Sequence, residues 1–153
     1  MALSVSAGQE APRVSLRERA EKGDPEAQFN LAKNYEAGRG GLKKDYAEAE
    51  RYWSPGYIQH SALVPPGRDG LFNLVRGFPS ELCYDNELAI AEGNYVFLHG
   101  RFSGNGRPGR MIAADILRIS EGVLAEHWDV LQTEVTKAES KSGLPMYGSN
   151  FPD

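Results

Sequence analysis

Cysteine is nearly absent. Cys83 stands alone, so no internal disulfide can form, and a reducing compartment is the expected setting. Basic residues are in deficit: 17 Lys and Arg against 21 Asp and Glu give a net charge of −4. That leaves no electrostatic footprint for nucleic acid or an anionic membrane surface. No apolar run approaches membrane-spanning length. The first residues, MALSVSAGQEAPRVS, lack an apolar stretch behind a basic one, so no signal peptide is expected. These absences predict a soluble, cytoplasmic protein. Histidine is also scarce. The three residues His60, His99 and His127 include no pair spaced as ligands on a helix or in a compact loop, so no metal site is expected.

What is present suffices for a core without staples. A chain of 153 residues that is 41% hydrophobic can bury one apolar interior. Residues 1–12 are small, polar and aperiodic and read as a disordered leader; 13–153 read as a single domain. In GDPEAQFNLAKNYEAGRGG, Asp24 is a candidate N-cap and Pro25 suits the first helical position. The glycines from Gly38 to Gly41 close that helix. Phe29, Leu31, Ala32 and Tyr35 give it an apolar stripe. A second helix is expected from Asp45, with Tyr46, Ala49 and Trp53 inward and Pro55 as its stop. YIQHSALVPPG is extended and ends in a turn. A short third helix follows over 68–77, burying Leu71, Phe72, Leu74 and Val75.

Near residue 82 the apolar period changes from 3.6 to 2. Strands are expected near 83–91, 94–103, 109–119 and 123–132, joined by short turns and so mostly antiparallel. Helices first and strands after them predict an α+β fold with helices packed on one face of a curved sheet. Both strand faces carry apolar residues, Ile112, Ile116 and Val130 on one and Leu117 and Leu131 on the other. The face away from the helices therefore needs a cover, and a homodimer through the sheet would supply it. GNGRPG at 104–109 matches the dinucleotide-binding glycine pattern literally. A strand follows it instead of a helix, so it is a hairpin turn.

AEHWDVLQ, residues 125–132, is unusual for a half-buried strand. Alternation puts His127 and Asp129 on one face and Glu126 and Trp128 on the other. A half-buried strand normally keeps apolar residues on its buried face, so an imidazole and a carboxylate sharing one face call for a reason.

Two resemblances bear on this. Residues 24–53 resemble one Sel-type helical repeat, but a lone repeat cannot form a solenoid, so its helices are expected to pack on the sheet. AERYWSPGYIQHSALVPPGRDGLFNLV, AADILRISEGVLAEHWDVLQ and ESKSGLPMYG, spanning about 45–148, together resemble the SnoaL-like group of the nuclear transport factor 2 superfamily. That resemblance implies a cone: a strongly curved sheet wrapped on three helices around a pocket. GRGGLKK departs from the family, which joins its first two helices more tightly.

By the same resemblance Asp129 is the acid/base of a cyclase. A carboxyl in an apolar pocket has its charged form disfavoured and so moves toward the working pH. Asp115, on the neighbouring strand, matches a position where ketosteroid isomerases hold a protonated aspartic acid. His60 matches the place of their general base. Tyr52, Trp53 and Tyr57 are expected as pocket wall on the helix before it, and His99, Arg101 and His127 as further pocket residues, with His99 favoured over His127. The implied function is cofactor-independent acid/base chemistry next to a carbonyl of a hydrophobic small molecule, by aldol-type cyclisation or isomerisation. A non-catalytic binding domain, an epoxide hydrolase with Arg101 between the two aspartates, and a partner-docking module on the Sel-like helices are the alternatives.

Overall fold

The computed structural model describes residues 15–37 and 45–151. The expected leader and the Gly38–Gly41 helix stop lie outside the described residues, as do the side chains of Ala32 and Tyr35. The chain runs α1 (Leu16–Glu21), α2 (Pro25–Ala37), α3 (Tyr46–Glu50), β1 (Trp53–Gln59), α4 (Gly67–Arg76), β2 (Cys83–Glu92), β3 (Tyr95–Ser103), β4 (Met111–Ser120) and β5 (Val123–Thr133). Helix α2 starts where its cap residues require: the Ala27 N–H donates to Asp24 Oδ1 at 3.1 Å, and Pro25 opens the first turn. Helix α1 has a reciprocal cap between Ser15 and Glu18. Its S-x-x-E spelling, Ser15 to Glu18, is the sequence signal for such a cap.

The second helix is shorter than its apolar spacing suggests. It ends at Glu50, and Trp53 and Tyr57 belong to β1 rather than to a helix; Tyr52 lies between the two elements. The Leu124 N–H donates to the Tyr52 carbonyl at 2.8 Å, and Trp53 pairs in parallel with Leu124 of β5. Pairing with β5 thus recruits the aromatic run that helical spacing would also allow. Pro55 is tolerated because β1 is an edge strand with irregular register between Trp53 and Ile58.

The sheet order is β1-β5-β4-β3-β2, antiparallel except for the β1–β5 pair. This is the expected curved α+β architecture. Glu121, with φ of 51°, and Gly122, with φ of 77°, form the tight β4–β5 turn, where two left-handed residues match the twist of the strands. The inner face meets α2 and α4. Phe72 is 1% exposed and meets Trp53 and Tyr46 edge-on at 5.4 and 6.1 Å. Phe29 and Leu31 of α2 are buried, and Phe29 meets Tyr84 of β2 edge-on at 5.8 Å. The described apolar residues of the Sel-like segment, Phe29, Leu31, Ala49 and Trp53, are therefore spent on this protein's own core, which counts against the docking-module alternative.

Candidate functional site

Between the helices and the inner sheet face lies a cavity of about 190 Å³. Apolar side chains make most of its wall, Trp53, Tyr57, Leu71, Val75, Phe102 and Leu131 among them. Four polar groups share one part of it: Gln59, Asp115, His127 and Asp129. Strand register assembles them. Asp115 of β4 pairs with Asp129 of β5, Leu117 pairs with His127, and Gln59 of β1 pairs with His127 from the other side. The extra residue Ala125 breaks the alternation of β5, since Arg118 pairs with Glu126 while Ile119 pairs with Leu124. This bulge turns Leu124 to the same face as His127 and Asp129.

The hydrogen bonds settle where the protons sit. The Ser61 N–H donates to Gln59 Oε1 at 3.0 Å, which fixes that oxygen as an acceptor, while Gln59 Nε2 donates to the Tyr57 hydroxyl at 3.0 Å. His127 Nδ1, 3.1 Å from the same Oε1, must then be a donor. His127 Nε2 faces Asp115 Oδ1 at 3.0 Å. The other carboxyl oxygen of Asp115 accepts from the Tyr84 hydroxyl at 2.6 Å. One proton is therefore shared between Asp115 and His127, which together form a neutral unit. Burial, and next the charge of Asp115, push the Tyr84 phenol far above its ordinary range, so it remains a donor. Gly100 makes room for it, because a Cβ there would overlap the Tyr84 ring and hydroxyl. Asp129 has no side-chain partner among the described residues.

Asp115, His127 and Asp129 offer one nitrogen and two oxygens within 4.8 Å of one another. Such a donor set could hold a divalent ion in place of the shared proton. Spacing between histidines could not reveal it, because it uses one histidine and two carboxylates from adjacent strands.

Of the residues expected at the site, the cavity brings together Asp129, Asp115, His127, Trp53 and Tyr57. His60 is elsewhere. On the outer sheet face its ring stacks on Trp128 with centroids 4.8 Å apart, and Nε2 lies 2.8 Å from Glu126 Oε1. The bond from His60, then that from Arg118 at 2.7 Å, holds the Glu126 carboxyl below the usual carboxylate range. His99 and Arg101 also face outward, because Leu98 and Gly100 occupy the inner positions of β3 opposite Asp115 and Ala113. His99 lies against Tyr147; the Arg101 guanidinium covers the Tyr147 ring and stands 3.7 Å from the buried Glu134. The order expected for His99 and His127 is thus reversed, and Arg101 does not assemble the Asp–Arg–Asp array of an epoxide hydrolase. Tyr52 packs against the core beside α3 and is not among the cavity's lining residues. Gln59 and Tyr84 were missed. Gln59 is two residues after Tyr57 and shares its face, a parity signal that was available once 53–59 is read as a strand.

The sequence profile of the SnoaL-like domain matches residues 39–127, more than half of the chain. No curated protein sequence matches significantly. Among solved structures, an NTF-2-like protein of unknown function from Burkholderia xenovorans is 17% identical, covering 75% of this chain and 87% of its own, with a TM-score of 0.56. A candidate polyketide cyclase from Bacillus cereus is 19% identical over 80% of this chain and 81% of its own, with a TM-score of 0.54. AclR, a candidate hydroxylase from Streptomyces galilaeus, is 20% identical over 69% of this chain and 79% of its own, with a TM-score of 0.51. These likenesses establish a shared fold.

Proposed function

We propose that this chain, which belongs to the SnoaL-like domain family, is a cofactor-independent enzyme doing acid/base chemistry next to a carbonyl of a hydrophobic small molecule. The observation that carries the reading is the set Asp115, His127 and Asp129 turned into an otherwise apolar cavity. The family and the neighbouring candidate cyclase support an enzyme of this broad type.

In this reaction Asp129 accepts a proton from the carbon next to the carbonyl. The C–H electron pair moves into an enolate, whose oxygen is stabilised by a hydrogen bond from the proton shared by His127 and Asp115. The proton on Asp129 then returns to a different carbon in an isomerisation. In a cyclisation the enolate carbon attacks a second carbonyl, and Asp129 protonates the resulting alkoxide. Either way the enzyme ends in its starting protonation state. The test is exchange of α-protons of an aryl ketone in D₂O. Exchange above the buffer rate supports the reading; tight binding without exchange supports the non-catalytic binding domain instead.

Gln59 has a positioning role in this scheme, holding His127 in the Nδ1–H form. Gln59→Leu is expected to lower kcat on the order of 10–100-fold with little effect on KM. Gln59→Glu, which keeps the acceptor, should retain most activity. Nitrogen NMR of His127 reads the cause directly: a single Nδ1–H tautomer in the parent and a mixture in Gln59→Leu. An unchanged tautomer would remove the role.

A second copy of the chain covering the outer sheet face completes the reading. Leu88, Ile90, Phe97 and Val130 are 53, 54, 47 and 71% exposed on that one face, and Tyr95 beside them is also exposed. An apolar row of this extent marks an interaction surface, and a two-fold axis lets one such row cover another. Light scattering should give a dimer for the parent and a monomer with unchanged circular dichroism for Phe97→Asp. A monomeric parent would end the dimer proposal.

A further inference from the structure

The GNGRPG turn has a use that a plain hairpin does not need. It links β3 to β4, and two of its side chains, Asn105 and Arg107, line the cavity. Arg107 is the only arginine or lysine among the lining residues, and its guanidinium has no partner among the described residues. The turn is braced. Gly104, with φ of 65°, approaches the Glu81 carbonyl so closely that a Cβ would overlap it, and Gly106, with φ of 78°, rests against Pro79. Asn105 Oδ1 accepts from the Arg107 N–H at 3.1 Å, which leaves the Asn105 amide N–H groups as additional donors. These contacts hold a cation and an amide donor beside the cavity.

Position along the sheet then separates two functions. Met111, where β4 leaves the turn, is four residues from Asp115, roughly 13 Å of extended strand. Between them the inner face is apolar, with Ala113 fully buried and Phe102 opposite Met111. The Asp115–His127 unit is neutral, so the uncompensated charges are Asp129 in the interior and Arg107 at the turn. A ligand carrying an anion would be repelled by the first and held by the second.

We infer that the ligand is an apolar ketone bearing an anionic group, a carboxylate on a ring or chain, which Arg107 and Asn105 bind at the turn while the carbonyl lies at Asp115, His127 and Asp129. A guanidinium suits this, because its fork of donors matches a carboxylate. The inference rests on the proposed use of the cavity and adds the chemical class of its ligand.

Calorimetric binding of 6-acetyl-2-naphthoate, whose ketone and carboxylate stand at opposite ends of a rigid bicyclic ring, and of its methyl ester tests it. The parent protein should bind the acid at least about tenfold more tightly than the ester. Arg107→Ala should remove that preference by weakening the acid alone, and Arg107→Lys should restore part of it. Raised salt should weaken the acid more than the ester. Equal affinities for acid and ester in the parent would overturn the inference, as would equal loss of both in Arg107→Ala or failure of both to bind. The outcome is separable from that of the reaction: acid preference without α-proton exchange retains the anion site and rejects the enzyme reading. Exchange without acid preference does the reverse.

Discussion

Asp129→Asn should abolish turnover and leave the fold intact. The amide has the shape of the carboxyl but cannot accept the α-proton, and a general base of this kind contributes about 10²–10⁴-fold in rate. Stability should hardly change, because Asp129 has no side-chain partner among the described residues and only partial burial; substitutions of this kind stay within about 0.5 kcal/mol. Two measurements on the same sample decide the matter: deuterium incorporation next to the carbonyl of an aryl ketone, and the thermal midpoint. Loss of incorporation with an unchanged midpoint supports Asp129 as base. Full incorporation by the variant would move the base elsewhere in the cavity, with the His127–Asp115 pair the first candidate.

The largest loss of stability is expected from Phe72→Ala. Phe72 is 1% exposed and sits edge-on between Tyr46 of α3 and Trp53 of β1, so its removal leaves a void that backbone elements on either side cannot close together. Truncating a buried aromatic of this kind costs about 3–5 kcal/mol, which lowers the midpoint of a domain this size by roughly 10 °C. The effect should extend to binding, because Trp53 is itself cavity wall and loses its support. Urea denaturation measures the first effect and titration with a naphthyl ketone the second. Leu144→Ala is the control: Leu144 is 67% exposed, and its truncation should cost less than about 0.5 kcal/mol. A loss below about 1.5 kcal/mol for Phe72→Ala would mean that the site collapses easily around a missing ring.

His60 and His127 show how far the sequence reaches. Both lie in extended segments beside aromatic residues, and either could have faced a pocket. His60 follows the last residue of β1, where parity points it outward, to Trp128 and Glu126. His127 points inward with Asp129, as alternation within AEHWDVLQ requires. Alternation is a property of the backbone and needs no partner, so the sequence by itself determined which residues of β4 and of most of β5 share a face, the helix caps at Asp24 and Asp45, and the α+β order. It did not determine which face of β3 turns inward. The SnoaL-like motifs carried the cone-shaped fold.

What tertiary structure alone decided was the pairing. Trp53 and Tyr57 fit a helix by spacing and became a strand because β5 offered them hydrogen-bond partners. The Tyr84–Asp115 bond across β3 and the Gln59–His127–Asp115 relay join residues 12 to 68 positions apart. Local propensity carries no information about which distant strand will lie alongside, since that choice is made by burial of the whole inner face at once. The placing of Arg101 shows the same limit: its residue type suited an epoxide-opening array, and its register opposite Ile112 turned it away from the two aspartates.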